Sequence, residues 1–187
     1  MTLDSVASVG HYFAGPTNLP EAEFYNLNIR SVALTAVPHT QLNDSPPFGN
    51  LWVGNVLNIT DTNAGGVTLA TNNLTVRADG GLTIGNGGTF LANTTAATLG
   101  GVTMTGGTSG VITVTTGAWT VSGNWNTSGA GSTYTQGTGI VTFSATASIT
   151  MLSTDNTFDD LTVSVGTVTL ATTIVVTNRV TVNGGSL

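Results

Sequence analysis

Residues Leu161–Val182 read LTVSVGTVTLATTIVVTNRVTV. Within its short runs apolar residues alternate with Thr: Leu161 and Val163, Val168 and Leu170, Val180 and Val182. Period two places one set of side chains on a buried face and the other on a solvated one, the pattern of a half-buried β-strand. Val, Ile and Thr are β-branched and suit a pleated surface. No segment of the chain keeps helical spacing over three turns, so almost no helix is expected.

The same alternation runs through the chain from Leu51 onward. It recurs at Leu57–Ile59, Val67–Leu69, Leu74–Val76, Leu82–Ile84, Val102–Met104, Ile112–Val114, Trp119–Val121, Val141–Phe143 and Ile149–Met151. Gly and Asn punctuate the runs, as in Ala64-Gly65-Gly66, Asp79-Gly80-Gly81 and Asn183-Gly184-Gly185. These residues tolerate positive φ and make tight corners. A β-sandwich is the alternative all-β architecture, but its strands run to about 5–6 residues with ordinary hairpin turns. Shorter runs between sharp corners fit a parallel β-helix, or β-solenoid, of short strands stacked at about 4.8 Å.

The pentapeptide VTLAT occurs at Val67–Thr71 and again at Val168–Thr172. Leu57-Asn-Ile precedes the first copy and Leu161-Thr-Val the second, and Gly-Gly corners follow both. These flanks suggest a repeated block of about 30 residues, as stacked units require.

Residues 1–50 differ. They hold all five Pro and both His, His11 and His39, and lack Gly-Gly corners. Only Asn28–Val37, NIRSVALTAV, reads as a good strand there, and HTQLNDSPPFGN (His39–Asn50) reads as a linker or turn. The expected organisation is an extended N-terminal arm or cap over 1–50, able to contact another subunit, and a solenoid body over 51–187. At roughly 20–30 residues per coil the body should make about 5–7 coils and measure about 25–35 Å.

The C-terminal segment GNWNTSGAGSTYTQGTGIVTFSATASITMLSTDNTFDDLTVSVGTVTLATTIVVTNRVTVNGGSL resembles the repeats of large bacterial and archaeal surface proteins, adhesin-like and autotransporter-like, that form parallel β-helices. The matching residues are Gly123, Trp125, Gly139, Val141, Phe143, Thr157, Phe158, Leu161, Val163, Val168 and Leu170. The likeness spans Gly123–Leu187 well and Leu51–Leu91 weakly. It implies a β-helix and a role in cell-surface layers, adhesins or extracellular fibres.

Composition narrows the function classes. Charged residues make up 6% of the chain, with three Arg, no Lys and net charge −6, while Thr fills 37 positions. Nucleic acid is not an expected partner, because phosphate binding needs clustered cations. No apolar run reaches the roughly 18–20 residues of a membrane span. The start, MTLDSVASVGHYF, shows no basic region followed by an apolar one, so no signal peptide is read there. The absence of Lys and the richness in Thr, Asn and Gly nevertheless favour a secreted, processed chain at the cell surface. There is no Cys, hence no disulfide or thiolate metal site.

Candidate chemistry is sparse. Asp159 and Asp160 are adjacent carboxylates, but neighbours in a strand should point to opposite sides, so a solvated corner is expected. Arg179 stands alone, and His11 and His39 lie outside the repeat body. Asp61-Thr62-Asn63-Ala64-Gly65 spaces oxygen ligands like a calcium loop but has Asn72 where the bidentate Glu would stand, so a plain turn is expected. Trp119, Trp125 and Phe143 should fill the coil interior, a carbohydrate-stacking strip being the alternative. Thr-x-Thr pairs begin at Thr60, Thr103, Thr113, Thr133 and Thr167, at intervals of 43, 10, 20 and 34, which is no single coil period and argues against an ice-matching face. Glycosylation sequons at Asn43, Asn58, Asn73, Asn93 and Asn126 are no more frequent than this composition gives by chance. No catalytic, cofactor or metal residue is assigned, and no enzymatic activity is expected.

The strand pattern continues to Leu187 with no charged or helical cap. Further chain or a sister subunit should therefore cover that end. The expected role is a structural subunit of an extracellular filament, sheath or cell-surface fibre. It would assemble head to tail by solenoid stacking and strand addition, with Asn28–Val37 as the added strand. The alternatives are an adhesin or glycan-binding module and, less favoured, a polysaccharide-active β-helix enzyme.

Overall fold

The computed structural model describes residues 2–5, 11–12, 21–31, 39–41, 50–61, 66–71, 75–104 and 110–187. Every element among them is a β-strand, and every pairing between strands is parallel. The chain winds through three sheets in rotation. The first turn holds β1 (Thr2–Ser5), β2 (His11–Tyr12) and β3 (Glu21–Phe24), and the second β4 (Leu27–Ser31), β5 (His39–Gln41) and β6 (Asn50–Val53). The third holds β7 (Val56–Asp61), β8 (Val67–Ala70) and β9 (Thr75–Ala78), and the fourth β10 (Gly81–Ile84), β11 (Gly88–Asn93) and β12 (Ala97–Leu99). The fifth holds β13 (Val102–Met104), β14 (Val111–Val114) and β15 (Ala118–Val121), and the sixth β16 (Trp125–Thr127), β17 (Thr133–Gln136) and β18 (Ile140–Phe143). Two shorter turns follow, β19 (Ala147–Met151) with β20 (Thr157–Val163), and β21 (Gly166–Leu170) with β22 (Val175–Val182). β23 (Gly185–Ser186) then starts another. This is the expected β-solenoid and not a sandwich.

Sheet A contains nine strands from β1 to β23, sheet B six from β2 to β17, and sheet C eight from β3 to β22. Sheet B stops at β17 because the last two turns pass directly from sheet A to sheet C. Stacking keeps side-chain columns in register. Leu27, Leu57, Leu82, Val102, Trp125, Ile149 and Leu170 form one inward column of sheet A, so a turn takes 20 to 30 residues. All of this column except Leu170 is buried. A parallel coil can bury its apolar side chains only against neighbouring rungs, which is why the inward positions form one continuous core.

The strands described within the first fifty residues join the same three sheets. Of the strand read at Asn28–Val37, Leu27–Ser31 forms β4, and residues 32–38 lie outside the described residues. β4 pairs with β1 on one edge and β7 on the other. Strand addition through this segment, as expected from sequence, is therefore corrected: the strand has no free edge.

The VTLAT copies also need correcting. The first enters β8 of sheet B, whereas the second lies in β21 of sheet A. Their flanks, Leu57–Ile59 and Leu161–Val163, sit in sheets A and C. The two blocks are thus out of step by one face. Each strand obeys the same inward/outward rule, so similar strings arise on any face. Position in the turn is set by the corners instead.

Candidate functional site

The distinctive surface is the last rung, β21 to β23. Among the described residues seven large apolar side chains are exposed, and six of them, Val165, Leu170, Val175, Val180, Val182 and Leu187, belong to this end, at 40 to 58% exposure. Val180 and Val182 occupy the inward columns of Leu161 and Val163, which are fully buried one rung earlier. They are exposed because no rung lies beneath them, and the far edge of β22 has no partner strand among the described residues. A shallow recess of about 610 Å³ lined by Leu170–Ile174 lies where sheet B has no strand.

Charge on this rung is set by a bulge. Phe158 pairs with Val176 and Asp160 with Arg179, so β22 carries one extra residue. Phe158 and Leu161 are both fully buried, and the two residues between them, Asp159 and Asp160, are both partly exposed. The expectation that these carboxylates face opposite sides is overturned, because two core residues three apart leave both aspartates outside. They do not form a free acid pair. Thr177 Oγ1 donates to Asp159 Oδ1 at 3.1 Å, and Asn178 Nδ2 donates to Asp160 Oδ1 at 3.0 Å. Arg179 Nη2 lies 3.1 Å from Asp160 Oδ2, with the Arg179 side chain 64% exposed and that of Asp160 15%.

Further up sheet C the register assembles a cluster that sequence reading missed. Trp52 pairs with Arg77, whose guanidinium lies 4.8 Å from the indole centroid. Arg77 Nε and Nη2 donate to the Asp79 carboxylate at 2.7 and 3.0 Å. The hydrogen bond from Arg77 holds the Asp79 carboxyl below its ordinary range, opposed by desolvation and helped by the Trp52 indole N–H and the Arg77 charge. Whatever stability this pair adds is present above the ordinary carboxylate pKa and is lost as pH falls. The cluster is self-satisfied and exposed, so it shields the indole more than it offers a site. The only sequence signal was a spacing of one turn between Trp52 and Arg77, which is uninformative until the turn length is known.

Below Arg77 the same outward column continues as Thr98, Thr120, Thr142, Thr162 and Thr181. A regular Thr row thus exists. The Thr-x-Thr search missed it because its members are single Thr residues on sheet C, while Thr103, Thr113, Thr133 and Thr167 belong to sheets A and B. Ser122, Ser144 and Ser164 flank the row, each hydroxyl donating to a carbonyl of the preceding rung.

Gly66 N–H donates to Asp61 Oδ2 at 2.7 Å, closing a turn, and residues 62–65 and Asn72 lie outside the described residues. No cluster of three metal-ligating side chains occurs among the described residues. His11 and His39 belong to β2 and β5, both in sheet B. Asn43 and Asn73 lie outside the described residues, while Asn58 and Asn93 are half-buried and Asn126 is exposed. Trp119, Trp125 and Phe143 fill the interior as expected.

Tyr134, on the last strand of sheet B, belongs to the same interior, and its hydroxyl donates to Gln136 Oε1 at 2.8 Å. Burial pushes the Tyr134 phenol well above the ordinary tyrosine range. The unfolded chain loses this proton near pH 10 while the folded chain keeps it. Stability should therefore fall above pH 10 by up to about 1.4 kcal/mol per pH unit from this group. Denaturant titrations between pH 8 and 11 should show that slope in the parent chain and lose this component in Tyr134→Phe. Equal slopes would remove the assignment.

Compared with family models, curated proteins and solved structures, the chain matches none of them.

Proposed function

We propose that this chain is a structural, non-enzymatic unit of an extracellular filament, sheath or cell-surface fibre, built by end-to-end stacking of solenoid rungs. The observation that carries the reading is the gathering of exposed apolar side chains on one terminal rung. The Thr row of sheet C and the resemblance to surface-protein repeats support the location. The reading needs no cofactor or metal, and the carboxylates Asp159 and Asp160 are engaged by Thr177, Asn178 and Arg179.

Magnitudes favour reversible assembly. Covering six half-exposed apolar side chains gains about 5 kcal/mol, similar to the low end of the roughly 4–15 kcal/mol cost of association. Backbone bonds along β22, worth about 1 kcal/mol each, must supply the surplus. Sedimentation velocity over a wide concentration range, with negative-stain microscopy, should show assemblies that grow with concentration. A monodisperse monomer throughout would remove the filament reading. It would favour the second one, an adhesin or glycan-binding module of a longer surface protein whose following rungs cover β22; the Thr row of sheet C supports that reading, and a glycan array tests it.

A further inference from the structure

The glycosylation sequons have no part in end-to-end stacking. Their number carries no information in this composition, but the fold gives them different surroundings. We propose that Asn126 is an acceptor for an N-linked glycan, its Nδ2 taking the sugar from a lipid-linked glycosyl phosphate. The inference rests on the extracellular location proposed above, because sequons are modified on secreted chains.

Asn126 lies in β16, with Thr103 and Thr150 as its neighbours on the rungs either side. It alternates with the buried Trp125 and Thr127, so its own side chain faces outward and is exposed. Ser128, the third residue of the sequon, holds that side chain. Its backbone N–H donates to Asn126 Oδ1 at 3.1 Å, and its hydroxyl donates to the same oxygen at 2.7 Å. A side-chain oxygen that accepts the backbone N–H two residues on forms an Asx turn. The contact also settles which end of the amide is which, since only its oxygen can accept. Asn126 Nδ2 donates to no group among the described residues, so both its hydrogens remain for chemistry.

An amide nitrogen is a weak nucleophile, because its lone pair is delocalised into the carbonyl. Two donors on Oδ1 stabilise charge on that oxygen and make an Nδ2 proton easier to remove. As a base of the transferase takes the proton, Nδ2 bonds to the anomeric carbon of the sugar. The bond from that carbon to the phosphate oxygen breaks, and its electron pair leaves on the phosphate. The other sequons among the described residues lack this arrangement. Asn58 also accepts a hydroxyl, from Thr60 at 2.9 Å, but its Nδ2 is engaged by Asn28 Oδ1 at 3.3 Å and it is half-buried within β7. Asn93 is half-buried with a φ of 48°, and the hydroxyl of its sequon, on Thr95, is buried 2.6 Å from Thr71 Oγ1. A glycan on Asn126 stands on the outer wall of sheet A, between β13 and β19, and leaves the last rung uncovered.

Glycan transfer to the purified, folded chain tests this. The donor is a lipid-linked oligosaccharide, and the enzyme an oligosaccharyltransferase that glycosylates a synthetic peptide carrying the Asn126 sequon. Peptide mass mapping should find the sugar at Asn126 at roughly tenfold or more the level at Asn58 and Asn93, which reach the enzyme only through local opening. Unstructured peptides carrying the three sequons should show far less preference. Ser128→Thr should remain a substrate, and Asn126→Gln should lose the product. No transfer to Asn126, or equal transfer to Asn58, overturns the inference. Peptides as selective as the folded chain would show that sequence, not the fold, makes the choice. Mass mapping of the chain recovered from its source cells separates the glycan from the location. A chain at the cell surface with Asn126 bare defeats the glycan and leaves the extracellular reading standing, whereas a chain confined to the cytosol defeats both.

Discussion

Trp125→Ala should destabilise the solenoid by about 3–5 kcal/mol, measured by denaturant unfolding at neutral pH. Trp125 is fully buried and belongs to the inward column of sheet A. Its ring centroid lies 6.2 Å from Trp119, 5.0 Å from Tyr134 and 5.4 Å from Phe158. Tyr134 and Phe158 also touch each other, at 5.7 Å. These rings fill the width of the coil where three-stranded turns give way to two-stranded ones, and smaller neighbours cannot close the gap. Rungs contact only adjacent rungs, so the loss should fall on the coupling between the turns before and after β16. Hydrogen exchange should therefore show β18–β22 opening at lower free energy than β7–β12. Trp125→Phe is the discriminating control. The indole Nε1 finds no acceptor among the described residues, so the phenyl ring sacrifices volume but no hydrogen bond. It should cost less than half as much as alanine. Equal losses for the two variants would show that ring packing is not what holds this rung.

Much of the fold was legible because its information is local. The alternation in Leu161–Val163 or Val141–Phe143 needs only period two, and each of those apolar residues is buried. What escaped reading was the phase of each strand within the turn. VTLAT looked like a repeat unit, yet its two copies occupy different sheets, because turns of 20 to 30 residues drift relative to any fixed period. The Thr row from Thr98 to Thr181 was hidden for the same reason, as was the approach of Arg77 to Trp52. Asp159 and Asp160 were misplaced by a different cause. Strict alternation fails at a bulge, and the bulge exists only in the pairing of β20 with β22.

The corners carry the second large effect. Gly100→Ala should destabilise the chain by about 3 kcal/mol or more, and Gly100→Val should prevent folding of the central turns. Gly100 joins β12 to β13, and its N–H donates to the Ala78 carbonyl at 2.8 Å. A Cβ there would run into the Asp79 carbonyl and the backbone of Gly80 in the rung above. Gly123, one turn later, would collide with the Gly100 carbonyl in the same way. Both obstacles are main chain, so no side chain can swing aside. Relief requires separating rungs whose spacing, about 4.8 Å, is fixed by the ladder bonds. Gly54→Ala supplies the comparison. Its Cβ would sit 3.8 Å from the Phe24 carbonyl oxygen, an ordinary contact, so its effect should stay within about 1 kcal/mol. Chemical denaturation of the three variants beside the parent decides the point. If Gly100→Ala matches Gly54→Ala, the stacked corners tolerate a side chain, and the glycines there reflect composition instead of close backbone contact.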